Sequence, residues 1–138
     1  MTELRTTRTL ALAAAVRLVR AAVAEASADD APVTVAVVDA AGTLLAFEKM
    51  DGTAAFSARF AIAKATTSAA FGRPSGDMES LFDGRPGFTA GFVNKGDWLI
   101  SRGGAPVIVD GEVVGAIGIS GNSAEVEDDL ARRLANEG

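Results

Sequence analysis

The chain has 138 residues, close to half of them apolar, a formal net charge of −5, and no cysteine, histidine or tyrosine. That length supports one domain, residues 1–138, with a substantial core and no room for a second. The acidic balance, with no run of lysine or arginine, argues against nucleic acid as the main partner. No apolar run approaches the roughly 18 residues that a membrane-spanning helix requires.

The missing residue types narrow the chemistry further. Without cysteine there is no disulfide, thiolate nucleophile or thiolate-held metal. Without histidine the commonest general base and metal ligand is gone, and no metal site is expected. Chemistry falls to carboxylates, lysine, arginine, hydroxyls, backbone amides or a bound cofactor.

In chain order, Arg5 and Arg8 precede an apolar stretch that resembles the start of a signal peptide. Arg17 and Arg20 interrupt it, however, and Val16, Val19 and Val23 continue at helical spacing. A mature amphipathic helix over residues 3–28 of a cytoplasmic protein is the expected reading. Asp29-Asp30-Ala31-Pro32 ends it, because proline disfavours helical geometry in the residue before it. Residues 33–39 read as a buried strand, Ala40-Ala41-Gly42 as a turn and residues 43–50 as the partner strand. After Asp51-Gly52-Thr53, a helix is expected over 55–71, with Phe56, Phe60, Ala63 and Thr67 near one stripe.

Arg73-Pro74-Ser75-Gly76-Asp77 breaks that helix, and a short helical piece is expected near 78–82. Residues 83–95 read as loop with a short strand, and residues 97–100 as a further strand. A hairpin then spans 103–121. Asp110-Gly111 fits its turn, since a type I′ turn needs positive φ at both central positions. Gly115, Gly118 and Gly121 stud its return strand, which points to another backbone or a ligand coming close. Ser123 is placed to cap a last helix over 123–136, whose first turn is acidic. The order helix, two strands, helix, three strands, helix implies an α/β fold with an antiparallel sheet covered by helices.

Five strings, in order, resemble the GlcG/HbpS-like haem-binding family, which is related to the C-terminal domain of PduO-type proteins. They are Ala36-Val37-Val38-Asp39-Ala40-Ala41-Gly42, Met50-Asp51-Gly52, Ala63-Lys64-Ala65, Gly103-Gly104-Ala105-Pro106-Val107 and Gly115-Ala116-Ile117-Gly118-Ile119-Ser120-Gly121. The resemblance implies a profilin-like sandwich with an about five-stranded antiparallel sheet flanked by helices. It also implies a homo-oligomer, from dimer to octamer, and haem or a related tetrapyrrole as one candidate ligand. The chain departs from the family pattern at Gly121-Asn122-Ser123, where Gly-Gly-Thr is usual, and at Val126-Glu127, where Gln-Asp is usual. The histidine that haem-binding members can use is missing as well.

Candidate residues gather around these strings. Lys64, at the family position among small neighbours, could be partly desolvated and serve as a base, or snorkel into solvent. Arg73 could hold an anion bidentately or cap a helix end. Arg102 precedes Gly103 and Gly104, whose amides could receive a carboxylate or oxyanion. Phe71, Phe88, Phe92 and Trp98 could supply an apolar wall, or be core. The main expectation is a pocket near the second helix and the Gly103-Gly104 loop for a small, partly apolar, anionic molecule. The alternative is a cofactor-independent isomerase, cyclase or lyase in which Lys64 or Glu125 moves a proton and Arg102 stabilises negative charge.

Overall fold

A computed structural model describes residues 1–137. The elements run α1 (Leu12–Ala28), β1 (Thr34–Asp39), β2 (Leu44–Lys49), α2 (Ser57–Phe71), a 3₁₀ helix (Ser75–Phe82), α3 (Pro86–Val93), β3 (Gly104–Val109), β4 (Glu112–Ser120) and α4 (Ala124–Glu137). The strands form one antiparallel sheet in the order β2-β1-β4-β3. Helices α1 and α4 pack on one face of it and α2 on the other.

Strand alternation decides what each face receives. Val35 and Val37 of β1 and Ile117 and Ile119 of β4 join Leu18, Val19, Leu130 and Leu134 in the larger core. On the opposite face, Val38 and Ala116 meet Ala65 and Ala69 of α2 in a thin layer of small side chains. Gly118 explains why that layer is thin. A Cβ there would strike the carbonyl oxygen of Ala61 and come within 2.7 Å of the Ala65 nitrogen, so α2 lies directly on the strand backbone. Gly115, three positions earlier and on the opposite face, is closed off by Leu10 and by the Val38 carbonyl.

Local turn chemistry forms as its residues dictate. Asp110 and Gly111 adopt φ of 51° and 77°, and Asp39 Oδ1 accepts hydrogen bonds from the amides of Ala41 and Thr43. The Ser123 hydroxyl accepts from the Val126 amide at the start of α4.

Four details correct the sequence reading. The sheet has four strands among the described residues, because residues 97–100 do not form one. There the Leu99 amide donates to Thr67 Oγ1 on α2, 2.8 Å away, and makes no ladder. Helix α1 begins at Leu12, well after residue 3. The preceding threonine-rich stretch is a poor helix former. It lies along the hairpin instead, with the Leu10 amide on the Val114 carbonyl and Arg8 on Asp110 and Glu112. Within residues 83–95 the chain forms α3, with Pro86 at its first position, where a missing N–H costs nothing. Finally, α2 turns Ser57, Ala61, Lys64, Ala65 and Ser68 inward, leaving Phe56 and Phe60 exposed.

Candidate functional site

Two places near α2 could carry chemistry. The first is buried. Lys64 projects from the inner face of α2, and Glu127 reaches it from α4. Lys64 Nζ donates to Glu127 Oε1 at 2.9 Å and to the Ile119 carbonyl at 3.0 Å. The other carboxylate oxygen accepts from the Asn122 amide at 2.9 Å. Gly103 closes this knot. Its φ is +121°, and a Cβ there would lie 3.0 Å from Lys64 Nζ and 3.2 Å from Glu127 Cβ. The Gly104 amide donates to Ser75 Oγ, and the Gly103 carbonyl accepts from the Ile119 amide.

The residues expected to move protons are therefore not gathered about one opening. Lys64 is buried with its ammonium engaged, while Glu125 is exposed on α4. Arg102 is also exposed, its Nε 3.9 Å from Asp128. Gly103 and Gly104 are buried, and the Gly104 amide is occupied by Ser75. Arg73 is exposed beside a small groove of about 240 Å³ that it shares with Arg132, Pro106 and Ile108.

The expected aromatic residues do meet. Ring centroids of Phe71 and Trp98 are 5.0 Å apart, and those of Phe92 and Trp98 are 4.9 Å apart. Phe82, which the sequence reading did not single out, joins Phe92 to Phe88 at 4.9 and 5.3 Å. Arg85 lies over the Phe88 ring, 4.1 Å from its centroid. This cluster ties the 3₁₀ helix, α3 and the 97–100 segment to the end of α2. It also stands Trp98 and Leu99 up as a wall between two hollows.

The inner hollow, about 310 Å³, lies among Phe82, Phe92, Trp98 and Ile100. The outer one, about 540 Å³, is the second candidate place. Its floor is the outward face of α2, made by Arg59, Phe60, Ile62, Ala63 and Thr66, with Trp98, Leu99, Asp97 and Gly42 around it. That volume is within the roughly 300–1,000 Å³ of small-molecule sites. Arg59 makes no ion pair among the described residues. A further hollow of about 570 Å³, between the end of α1 and β2, carries Asp30, Glu48 and Asp51 against Lys49 alone, which disfavours an anion.

Arg59 and Ile62 were missed because helical periodicity marks both faces of α2 as apolar. The usable signal is the small stripe Ala61, Ala65, Ala69. A stripe of small residues faces the sheet closely, and so leaves Phe56 and Phe60 for the outside.

A family model described as haem degrading protein HbpS-like matches residues 10–136. The chain belongs to this family. Protein GlcG of Escherichia coli K12 is 39% identical over 99 residues, which cover 70% of this chain and 69% of GlcG. The crystal structure of HbpS superposes with a TM-score of 0.87 at 32% identity, covering 96% of this chain and 92% of HbpS. The crystal structure of a PduOC:heme complex gives a TM-score of 0.82 at 29% identity, covering 92% and 93%. The α/β architecture, an antiparallel sheet flanked by helices, is thus shared with HbpS. Among the described residues, no helix is long and apolar enough to cross a membrane.

Proposed function

We propose that this chain binds a small, partly apolar, anionic molecule in the outer hollow on α2, and that the molecule is of the tetrapyrrole class. One observation carries the reading. The hollow of about 540 Å³ is lined by Arg59, which makes no ion pair among the described residues, together with Phe60, Ile62 and Trp98. A guanidinium recognises carboxylates bidentately, and an indole offers its face to a planar ring. The family description names haem, and a relative of this fold forms a complex with it, which supports the ligand class.

The lining offers groups for the frame of a haem and only oxygen donors for its iron. Arg59 and Thr66 can meet carboxylates, and Phe60, Ile62, Trp98 and Leu99 can meet the ring. No imidazole, thiolate, phenolate or thioether stands among the lining residues, which leaves the side-chain oxygens of Asp97 and Thr66 as the donors there that could face iron.

The reading includes self-association into a homo-oligomer, from dimer to octamer. Phe56 and Phe60, 56% and 41% exposed with centroids 4.8 Å apart, give it an apolar surface to use. Light scattering coupled to size exclusion measures the copy number.

Titrating the full chain with ferric protoporphyrin tests the site. Saturable binding is expected. Arg59→Ala should weaken it about tenfold or more, since a charge-assisted hydrogen bond contributes roughly 1.5–3 kcal/mol. Ala63→Phe, which fills the floor of the hollow, should weaken it as well. Binding unaltered by both substitutions would move the ligand away from this hollow.

A further inference from the structure

Resting on the self-association proposed above, we infer that two copies of this chain join along β2, the strands pairing antiparallel about Phe47 so that the sheet continues across a two-fold axis.

The open edge follows from the ladder. Strand β2 is terminal in the sheet and pairs with β1 alone among the described residues. The Met50 amide donates to the Val33 carbonyl, and the register sets Lys49 against Thr34 and Phe47 against Ala36. Hydrogen-bonded pairs alternate along an antiparallel ladder, so Met50, Glu48 and Ala46 turn their N–H and C=O groups to β1. Those of Phe47 and Lys49 face outward. The opposite edge is built differently. There the Ile119 amide donates to the Gly103 carbonyl, and the same alternation turns Pro106 of β3 outward, where it has no N–H to offer. Sheets blunt the edges that must stay single. Strand β2 has no proline, and its one lysine is drawn back onto the Thr53 carbonyl.

Both faces beside this edge suit a second copy. Leu12, Val16 and Arg20 lie on one stripe of α1, and Arg20 meets Glu48 of β2 at 3.0 Å. The stripe therefore overhangs the edge, with Leu12 59% and Val16 40% exposed. Helix α1 sits over β1 and β2. Continuing the sheet at a spacing of about 4.8 Å sets the two α1 helices about 10 Å apart, an ordinary packing distance. Glu48 and Ala46 share the face of Val35 and Val37, so Phe47 lies on the other. Helix α2 packs there chiefly against β1, β3 and β4, which leaves Phe47 partly exposed.

Charge selects the register. A shift between Val37 and Val38 puts Leu45 out of step, so the regular outward groups are those of Phe47 and Lys49. They allow a two-fold axis at Phe47, Glu48 or Lys49. An axis at Glu48 or Lys49 sets that charge directly opposite its own counterpart, which is destabilising. An axis at Phe47 pairs the two phenylalanines, with Ala46 opposite Glu48 and Leu45 opposite Lys49. No like charges then face each other.

The chain has no cysteine, so one introduced thiol reports on this contact alone. About the Phe47 axis the two Cα atoms at position 47 are about 5.5 Å apart, within the roughly 4.4–6.8 Å that a disulfide spans. The two at position 49 are about 13 Å apart. Mild oxidation of the full chain should link Phe47→Cys into a covalent dimer. It should leave Lys49→Cys unlinked, and also Asn136→Cys on α4, which packs over β3 and β4. Light scattering coupled to size exclusion should show the mass at least halved by Phe47→Pro, which removes an outward N–H and no bond to β1. Val16→Glu changes a side chain outside the ladder and should do the same. A parent chain that runs as a single copy fails the self-association reading, and this inference with it. An oligomer that keeps its full mass in both variants, or that forms no link through Phe47→Cys, would overturn pairing along β2 while self-association stands. Linking through Lys49→Cys instead of Phe47→Cys would overturn the Phe47 axis.

Discussion

Replacing Glu127 by leucine tests the buried ion pair most directly. In the folded chain the Lys64 and Glu127 side chains keep only 3% and 8% of their surface and lie 2.9 Å apart. Leucine removes one of the two acceptors of Lys64 Nζ, leaving the Ile119 carbonyl. Attraction between the charges is strong in a dry interior, but removing both from water cancels most of it, so the intact pair adds little net stability. A single deletion is different, because it strands one charge without compensation. For Glu127→Leu the expected loss is about 3–5 kcal/mol, on the order of 10–20 °C in melting temperature for a chain of this size. The Asn122 amide also loses its acceptor, but Asn122 is exposed and water can replace the bond. Lys64→Met should cost a similar amount. The double variant Lys64→Met/Glu127→Leu substitutes apolar groups of comparable volume and should lose less than either single change, about 1 kcal/mol or under. Urea unfolding of all four proteins closes the cycle. Losses that simply add in the double variant, or a single-variant loss under about 1 kcal/mol, would refute the reasoning.

Two other outcomes follow from the same contacts. Thr67 is fully buried, and its Oγ1 accepts the Leu99 amide, so Thr67→Val should cost about 1–3 kcal/mol and shift Trp98 emission to the red as the wall loosens. Unchanged emission and stability would show that the 97–100 segment is held by other contacts. A hydrogen bond from the Arg132 guanidinium, with its charge and that of Arg73, holds the Asp77 carboxyl below its ordinary 3.8. A depressed folded pKa contributes stability above the unfolded value and loses it as pH falls through the folded one. With these side chains 52% and 38% exposed, solvent screens the pair. Asp77→Asn should therefore cost under about 1 kcal/mol at neutral pH, and the difference should close as the medium is acidified below the folded pKa. Denaturant midpoints at neutral and acid pH check this, and a pH-independent difference would count against it.

Much of the backbone was legible because its causes are local. Asp110-Gly111, the Asp39 turn and the Ser123 cap each depend on residues within a few positions, and each forms as its side chains dictate. Where long-range contacts won, local reading failed. Residues 97–100 have the composition of a strand, yet the sheet offers them no partner, and Thr67 takes the Leu99 amide. Residues 83–95 carry glycines that suggest loop, but Phe88 and Phe92 find Phe82 and Trp98, and packing stabilises a short helix there. The candidate site was half legible. The aromatic residues and the importance of α2 could be named, whereas the outward-facing Arg59 could not.

What the amino-acid sequence determined alone is the chemical repertoire and the turns. Composition leaves neither imidazole, thiolate nor phenolate, and no packing can create one. Glycine spacing in β4 likewise announced a close approach before its partner was known. Only the tertiary structure decided that the partner at Gly118 is the backbone of α2, that Lys64 meets Glu127 across 63 positions, and that Arg59 and Trp98 line one hollow. These are distances between segments remote in sequence. They are set by which faces the sheet and helices bury together, and local preference does not encode that choice.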